Sequence, residues 1–389
     1  MYFRLWPYGV TPEKHPTIWA DRRDLFDTLS ITFENFADRK RSFIQPFWGY
    51  LGAGKTHTLW HFGFLYGDAR KLTFVYSKFP TQARNFFELY RDGFVPSFDF
   101  EAFVRKCTCL WKKLLTDKTE EEAFFWILNQ IAHGSYDFAQ IVYNLAKIWD
   151  ISPMKALRDP LFGLSRMWLQ GAKLSKREMS AIGVTKDLTK DPNAILTIGG
   201  IVRLLTCKEA INEGLEALPV VWVMDDCHVL FARSSKEQEL IQRGIRRVID
   251  ECPSNLLVIM SFATSDPEKI QTGLIEELKT VTARSLVEVP PLTKEDALLF
   301  ITDLISHDDF RKLDTTNKFY PYEEESILGV INAITNKGID LLPRNVIKCF
   351  EHLTDEAQKE QLEIIDPKFV DKFFEKNCSP KQCPLFSFP

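Results

Sequence analysis

The chain has 389 residues, 45% hydrophobic and 26% charged, with a net charge of −4. That is enough for two or three domains in an ordinary globular balance, and it excludes a strongly basic nucleic-acid coat while leaving room for a local basic patch. No apolar run approaches the roughly 18 residues of a membrane span, and the opening Met-Tyr-Phe-Arg-Leu-Trp-Pro lacks a signal-peptide core, so a cytoplasmic protein without a membrane partner is expected.

Apolar spacing predicts a helix over 18–37, leading into a short buried strand at 42–48. Residues 49–56 then read Gly-Tyr-Leu-Gly-Ala-Gly-Lys-Thr, the complete phosphate-loop pattern G-x-x-x-x-G-K-[ST]. Gly49, Gly52 and Gly54, with Ala53 between them, let successive backbone N–H groups turn toward an anion. Lys55 supplies a point charge for the β- and γ-phosphates. Thr56 offers a hydroxyl to Mg²⁺ and opens a helix whose dipole also favours phosphate. His57 continues into an apolar helix to 66, where it reads as a packing residue beside the nucleotide rather than a catalyst. A β-rich strand at 72–77 and a helix over 80–91 follow.

Residues 95–198 carry consecutive helical patterns at 100–115, 120–133, 138–149, 161–169 and 176–182, a self-packed helical insertion. Lys173, Lys176, Arg177, Lys186 and Lys190 make the stretch 173–190 basic. It reads first as a solvated face, and in the sharper reading as a contact for DNA or an acidic partner. Of the eight cysteines, only Cys107-x-Cys109 and Cys378-x4-Cys383 lie close together. Neither pair has zinc-ribbon spacing, so reduced thiols are expected, with a composite metal site from these four as the alternative.

A helix at 199–218 precedes Pro219-Val-Val-Trp-Val-Met-Asp-Asp226, an apolar strand ending in two acids. Asp225 is placed to hold the Mg²⁺ water shell, and Asp226 to orient or deprotonate the attacking water. A helix at 234–251 and a strand at 256–262 end in the polar cluster from Ser261 to Asp266. A helix at 267–279 and a strand at 284–289 complete the alternation. From 292 to 376 everything reads helical, and the tail 378–389 is Pro-punctuated and extended. Strands alternating with helices predict a parallel sheet with nucleotide at the strands' C-terminal ends. The division expected is 1–94 and 199–290 for the nucleotide domain, 95–198 for the insertion, 291–377 for a helical lid and 378–389 for the tail.

This ordered set resembles the AAA+ ATPases, especially their Orc/Cdc6-like and STAND-adjacent branches. The resemblance implies a first sensor at Ser261 or Thr264. It implies a junction into the lid at Val287-Glu-Val-Pro-Pro-Leu-Thr-Lys-Glu-Asp-Ala297, and a second sensor at Arg344 in Leu342-Pro-Arg344. An arginine finger is implied at Arg284, with Arg246 and Arg247 as alternatives. A narrower stretch, Trp168-Leu-Gln-Gly171 with Ile182-Gly-Val184, resembles the ATP-binding proteins of prokaryotic phage-defence operons such as the BREX ATPases BrxC and BrxD. The chain departs from the family in its Asp-Asp pair, where many members have Asp-Glu, and in lacking a clear winged-helix domain.

The resemblance implies a P-loop α/β fold and a Mg²⁺-dependent ATPase that is slow without a partner. It would act as a homo- or hetero-oligomeric switch with protein subunits of a defence or DNA-processing complex, the tail 379–389 being one contact candidate. A nucleotide-gated STAND-like scaffold with little turnover and a small-molecule P-loop kinase are the alternatives.

Overall fold

The structure is a computed structural model that describes residues 13–19, 22–69, 71–151, 153–211, 216–307, 317 and 319–377. The tail 378–389, with Cys378 and Cys383, lies outside the described residues.

In chain order, α1 (Arg23–Arg39) leads into β1 (Phe43–Gly49), the glycine loop, α2 (Lys55–Asp68) and β2 (Thr73–Lys78). A long helical stretch follows: α3 (Phe86–Leu89), α4 (Phe100–Leu114), α5 (Glu120–Trp126), α6 (Tyr136–Ile151), α7 (Pro153–Ala156), α8 (Pro160–Leu169), α9 (Lys176–Ala181) and α10 (Asp191–Leu205). Alternation resumes with β3 (Val220–Asp225), α11 (Ser235–Glu251), β4 (Leu256–Ala263), α12 (Glu268–Gly273), α13 (Glu276–Lys279) and β5 (Val287–Glu288). The last described elements are α14 (Lys294–Ser306), α15 (Glu324–Asn336), α16 (Pro343–Lys359) and α17 (Pro367–Asn377).

Five strands form one sheet in the order β2-β3-β4-β1-β5. β2, β3 and β4 run parallel, with Val75 opposite Trp222 and Trp222 opposite Val258. β4 thus lies between the strand that feeds the glycine loop and the strand that ends in the two acids. A parallel sheet flanked by helices, with a helical C-terminal region, is the fold class the sequence implied.

The chain divides into two units, one drawn from 1–30, 48–65 and 287–389 and the other from 31–47 and 66–286. In the second unit every residue of β3 is buried, as expected of a parallel strand covered on both faces. The one polar ring nitrogen there is satisfied: Trp222 Nε1 donates to Ser77 Oγ at 2.9 Å, and Ser77 Oγ donates to the Val223 carbonyl at 2.9 Å.

α10 differs from the reading. It begins at Asp191 with Pro192 in its first turn and ends at Leu205, so the Gly199-Gly200 pair sits inside the helix rather than at its start. The reason is a close helix crossing. A Cβ on Gly200 would stand 2.1 Å from the Phe138 ring of α6, so only glycine admits that ring. The helix expected from residue 80 instead starts at Phe86, where the Asn85 side chain caps the Glu88 N–H.

In the first unit the core belongs to α14–α17, with Phe300, Ile301, Tyr322, Ile327, Val346, Phe350 and Phe373 among its buried members. The Tyr322 hydroxyl, inside that core, meets Thr354 Oγ1. Leu292 N–H donates to the Leu341 carbonyl at 2.8 Å, which fixes the chain entering α16.

Candidate functional site

In the first unit, β1 ends in Gly49 because the backbone of a neighbouring segment passes close: a Cβ there would lie 2.7 Å from the Val289 carbonyl oxygen. Gly52 and Gly54 adopt φ of 88° and 90°, left-handed values that the loop needs and that side chains other than glycine rarely adopt. Lys55 opens α2 and is 7% exposed. Its Nζ donates to the carbonyls of Gly49 at 3.0 Å and Tyr50 at 2.9 Å, which holds the ammonium inside the curl of the loop. Thr56 is half-buried in the first turn of the same helix.

Two guanidinium groups flank this loop within the same unit. Arg344, in the first turn of α16, lies over Gly52. Its N–H donates to the Gly52 carbonyl at 3.4 Å, and its Cβ would be 2.9 Å from a Cβ on Gly52. Its side chain is otherwise exposed.

The sequence reading missed the second group. Arg22, just before α1, is only 5% exposed and donates from Nη1 to the Ala53 carbonyl at 2.8 Å. Its Nε and Nη2 are buried with no hydrogen-bond partner among the described residues. Burial pushes its pKa down to about 10, partly offset by the Asp296 carboxylate. The signal in the sequence was a cation placed at a helix N-terminus, where the helix dipole disfavours it.

His57 and His61 on α2 hold the segment preceding Arg22. The His57 imidazole donates from Nε2 to the Ile18 carbonyl, and His61 Nδ1 lies 2.7 Å from the Pro16 carbonyl. Trp19 stacks on His61 with ring centroids 4.5 Å apart. Burial lowers the His57 pKa from 6.5 to about 4, and burial lowers that of His61 as well.

The unfolded chain therefore takes up a proton at His57 that the folded chain refuses. Stability that is complete above pH 6.5 should fall as pH drops toward about 4. The loss from His57 is on the order of 2–3 kcal/mol. Urea melts across this window should show the slope, and His57→Gln, whose amide can reach the Nε2 position and donate to the Ile18 carbonyl, should flatten it. Equal slopes in the two proteins would contradict this.

In the second unit, Asp225 ends β3 and is 1% exposed. Its Oδ2 accepts the Tyr76 hydroxyl, and its Oδ1 accepts the Asp226 N–H at 3.0 Å. Asp226 has left-handed backbone, φ 60° and ψ 30°, which Asp tolerates better than a longer acid does. This gives a local reason for Asp at a position where the resembled family often has Glu.

Ser261 on β4 is fully buried, and its Oγ has no hydrogen-bond partner among the described residues. Thr264 is already committed to a turn, accepting the Asp266 N–H at 3.0 Å and donating to the Asp266 carbonyl at 3.1 Å. Of the arginines singled out, Arg246 is tied to Asp250 and to the Glu277 carbonyl, whereas Arg247 and Arg284 are exposed.

Lys173, Lys176, Arg177, Lys186 and Lys190 are all exposed. Trp168 is buried and donates from Nε1 to the Lys186 carbonyl at 2.8 Å, and Gly171 ends α8 with φ 72°. Both residues thus have packing roles in the helical stretch. Burial raises the Cys107 thiol pKa, and no group of three or more metal-ligating side chains occurs among the described residues. No described helix is long and apolar enough to cross a membrane.

No protein-family model matches the chain, and no curated protein sequence matches it. Its fold is similar to that of the Aeropyrum pernix ORC2 protein, solved as ADPNP-ADP complexes, with a TM-score of 0.54 and 12% sequence identity over 97% of this chain and 72% of that one. The fold is therefore one that this chain shares with that ORC2 protein.

Proposed function

We propose that this protein binds ATP at the loop 49–56 and hydrolyses it slowly as an AAA+-type switch. The observation that carries this is the set of donors gathered in one unit. Lys55 lies inside a curl of left-handed glycines, buried Arg22 donates from Nη1 to the Ala53 carbonyl and keeps Nε and Nη2 unspent among the described residues, and Arg344 lies over Gly52. Buried guanidinium nitrogens without partners are costly, and a polyphosphate would satisfy them. The fold, shared with a protein solved in ADPNP-ADP complexes, supports the same reading.

The donor chemistry fits Mg²⁺. The Thr56 hydroxyl and the Asp225 carboxylate are the hard oxygen ligands that ion prefers. When bound, it would neutralise charge on the β- and γ-phosphates. Asp226 takes the role of base toward the attacking water. Ser261 and Thr264 are the polar groups at the end of the intervening strand, and Ser261 Oγ is the one with hydrogen-bonding capacity unspent among the described residues. The exposed Arg284 is proposed as the finger that completes a neighbouring subunit's site. His57 supports the nucleotide site through the Ile18 segment.

The setting proposed is the cytoplasm, in an assembly of protein subunits working in defence or DNA processing. The exposed cations of 173–190 would offer the DNA contact, and the defence context rests on the resemblance of 168–184.

Calorimetry tests the binding claim: one ATP per chain is expected, with Arg22→Ala weakening it at least tenfold. No binding heat in the folded wild type would refute it. Arg344→Ala should slow hydrolysis about tenfold or more and leave ADP affinity within about twofold, because the group senses the γ-phosphate. Equal losses for ATP and ADP would remove Arg344 from that role.

A further inference from the structure

The helical stretch encloses a cavity that the nucleotide reading does not use. It lies wholly within the second unit, between the start of α4, the end of α6, α7 and α8, and holds about 630 Å³, inside the roughly 300–1,000 Å³ range of ligand-sized clefts. Its inner wall is aromatic. Phe162 is buried, stacks on Trp149 with ring centroids 5.8 Å apart and meets the Phe100 ring edge-on at 6.0 Å. Its rim is aliphatic: Met154 and Leu157 also line the cavity and are 69% and 59% exposed. Two large aliphatic side chains at the mouth of an aromatic cavity are an interaction surface rather than scattered exposure, and the flexible thioether of Met suits a surface that adapts to what it binds.

Charge selects the partner. Every carboxylate on these four helices and their caps is already engaged. Asp99 caps the Ala102 N–H, Glu101 pairs with Arg105, Asp137 accepts the Thr185 hydroxyl, Asp150 pairs with Lys112 and Asp159 caps the Leu161 N–H. Three exposed cations are left over. Lys155 and Arg158 stand beside Met154 and Leu157 in the chain, and Arg166 lies over the Phe100 ring at 5.0 Å; none has an ion pair among the described residues. A guanidinium stacked on a ring keeps its N–H donors for a carboxylate. The most accessible lining side chains are aliphatic, whereas the rings on which a nucleobase would stack are buried or half-buried, so a protein segment fits better than single-stranded nucleic acid.

We propose that this cavity docks an acidic segment of a partner protein. One large apolar side chain of that segment enters between Met154, Leu157 and Trp149, and carboxylates on either side of it pair with Arg166, Arg158 and Lys155. The inference does not depend on the nucleotide reading.

The test uses the full chain and short labelled synthetic peptides, each with a central Phe, Leu or Ala flanked by Glu, Gln or Lys. They are titrated by fluorescence polarisation beside labelled oligo-dT. Glu-flanked Phe or Leu peptides are expected to bind. Ala at the centre, or Gln in the flanks, should weaken them about tenfold or more, as truncating an interface anchor or leaving a charge-assisted pair unmade does. Leu157→Asp should abolish binding while ATP affinity and the thermal melt stay as in the wild type. The Arg158→Glu/Arg166→Glu variant should lose the Glu-flanked peptides and gain the Lys-flanked ones, an exchange that damage to the fold would not produce. Leu157→Asp decides the matter if that variant does not melt cooperatively.

No binding of the Glu-flanked peptides, binding that ignores the flanking charge, or binding that survives these variants overturns the proposal. Oligo-dT held in a way that Leu157→Asp abolishes assigns the cavity to nucleic acid and overturns it too. So does a wild-type dimer, seen by sedimentation, that Leu157→Asp dissociates. Each of these results leaves ATP binding at the loop 49–56 standing.

Discussion

Lys55→Ala is expected to weaken ATP binding on the order of 100-fold, with a smaller effect on stability. A charge-assisted hydrogen bond to a phosphate oxygen contributes about 1.5–3 kcal/mol, and each 1.4 kcal/mol is about tenfold in affinity. Lys55 already lies inside the loop, its ammonium held by the Gly49 and Tyr50 carbonyls, so little ordering entropy is lost when it turns to an anion. In the variant those carbonyls lose a donor but not the glycine geometry at Gly52 and Gly54. Calorimetry on a variant with a cooperative melt separates the two effects. Unchanged ATP affinity in such a protein would show that the loop does not hold the phosphates.

The other large effect is expected at Asp226. Asp226→Asn keeps the size and the left-handed preference of the residue, since Asn accepts that backbone at least as readily. What it loses is the ability to accept the water's proton. The rate of hydrolysis should fall about 100- to 1,000-fold with ATP affinity unchanged, the range general-base removal gives. Asp225→Asn should behave differently. Its oxygen can still accept the Tyr76 hydroxyl, but the charge that would attract Mg²⁺ is gone, so the requirement for Mg²⁺ should rise instead. Phosphate-release rates across a Mg²⁺ titration distinguish the two, and a wild-type rate in Asp226→Asn would take the base role away from it.

Much of this was legible in the sequence because it is local. The loop's spacing, the apolar strand ending in Asp225 and Asp226, and Leu342-Pro-Arg344 ahead of a helix all lie within short windows of chain. The structure places Arg344 against Gly52, a contact between residues far apart in sequence that no local pattern reveals.

What was not legible depends on tertiary contact. Arg22 fell within the helix expected over 18–37, and only the approach of Ala53 makes it a buried cation with unspent donors among the described residues. Gly199-Gly200 looked like a helix start, because nothing local reveals the Phe138 ring that Gly200 admits. The π-helical turns Tyr90–Phe94 and Ile127–Ile131 break no apolar spacing and left no trace in it.

The most direct test of the central claim is a crystal structure of the full chain grown with Mg²⁺ and the non-hydrolysable analogue ADPNP. The expected result is a triphosphate in the curl of residues 49–56, with Lys55 on its β- and γ-phosphates and Arg22 Nε or Nη2 donating to the nucleotide. A loop without nucleotide at saturating analogue, or nucleotide bound elsewhere on the chain, would contradict it.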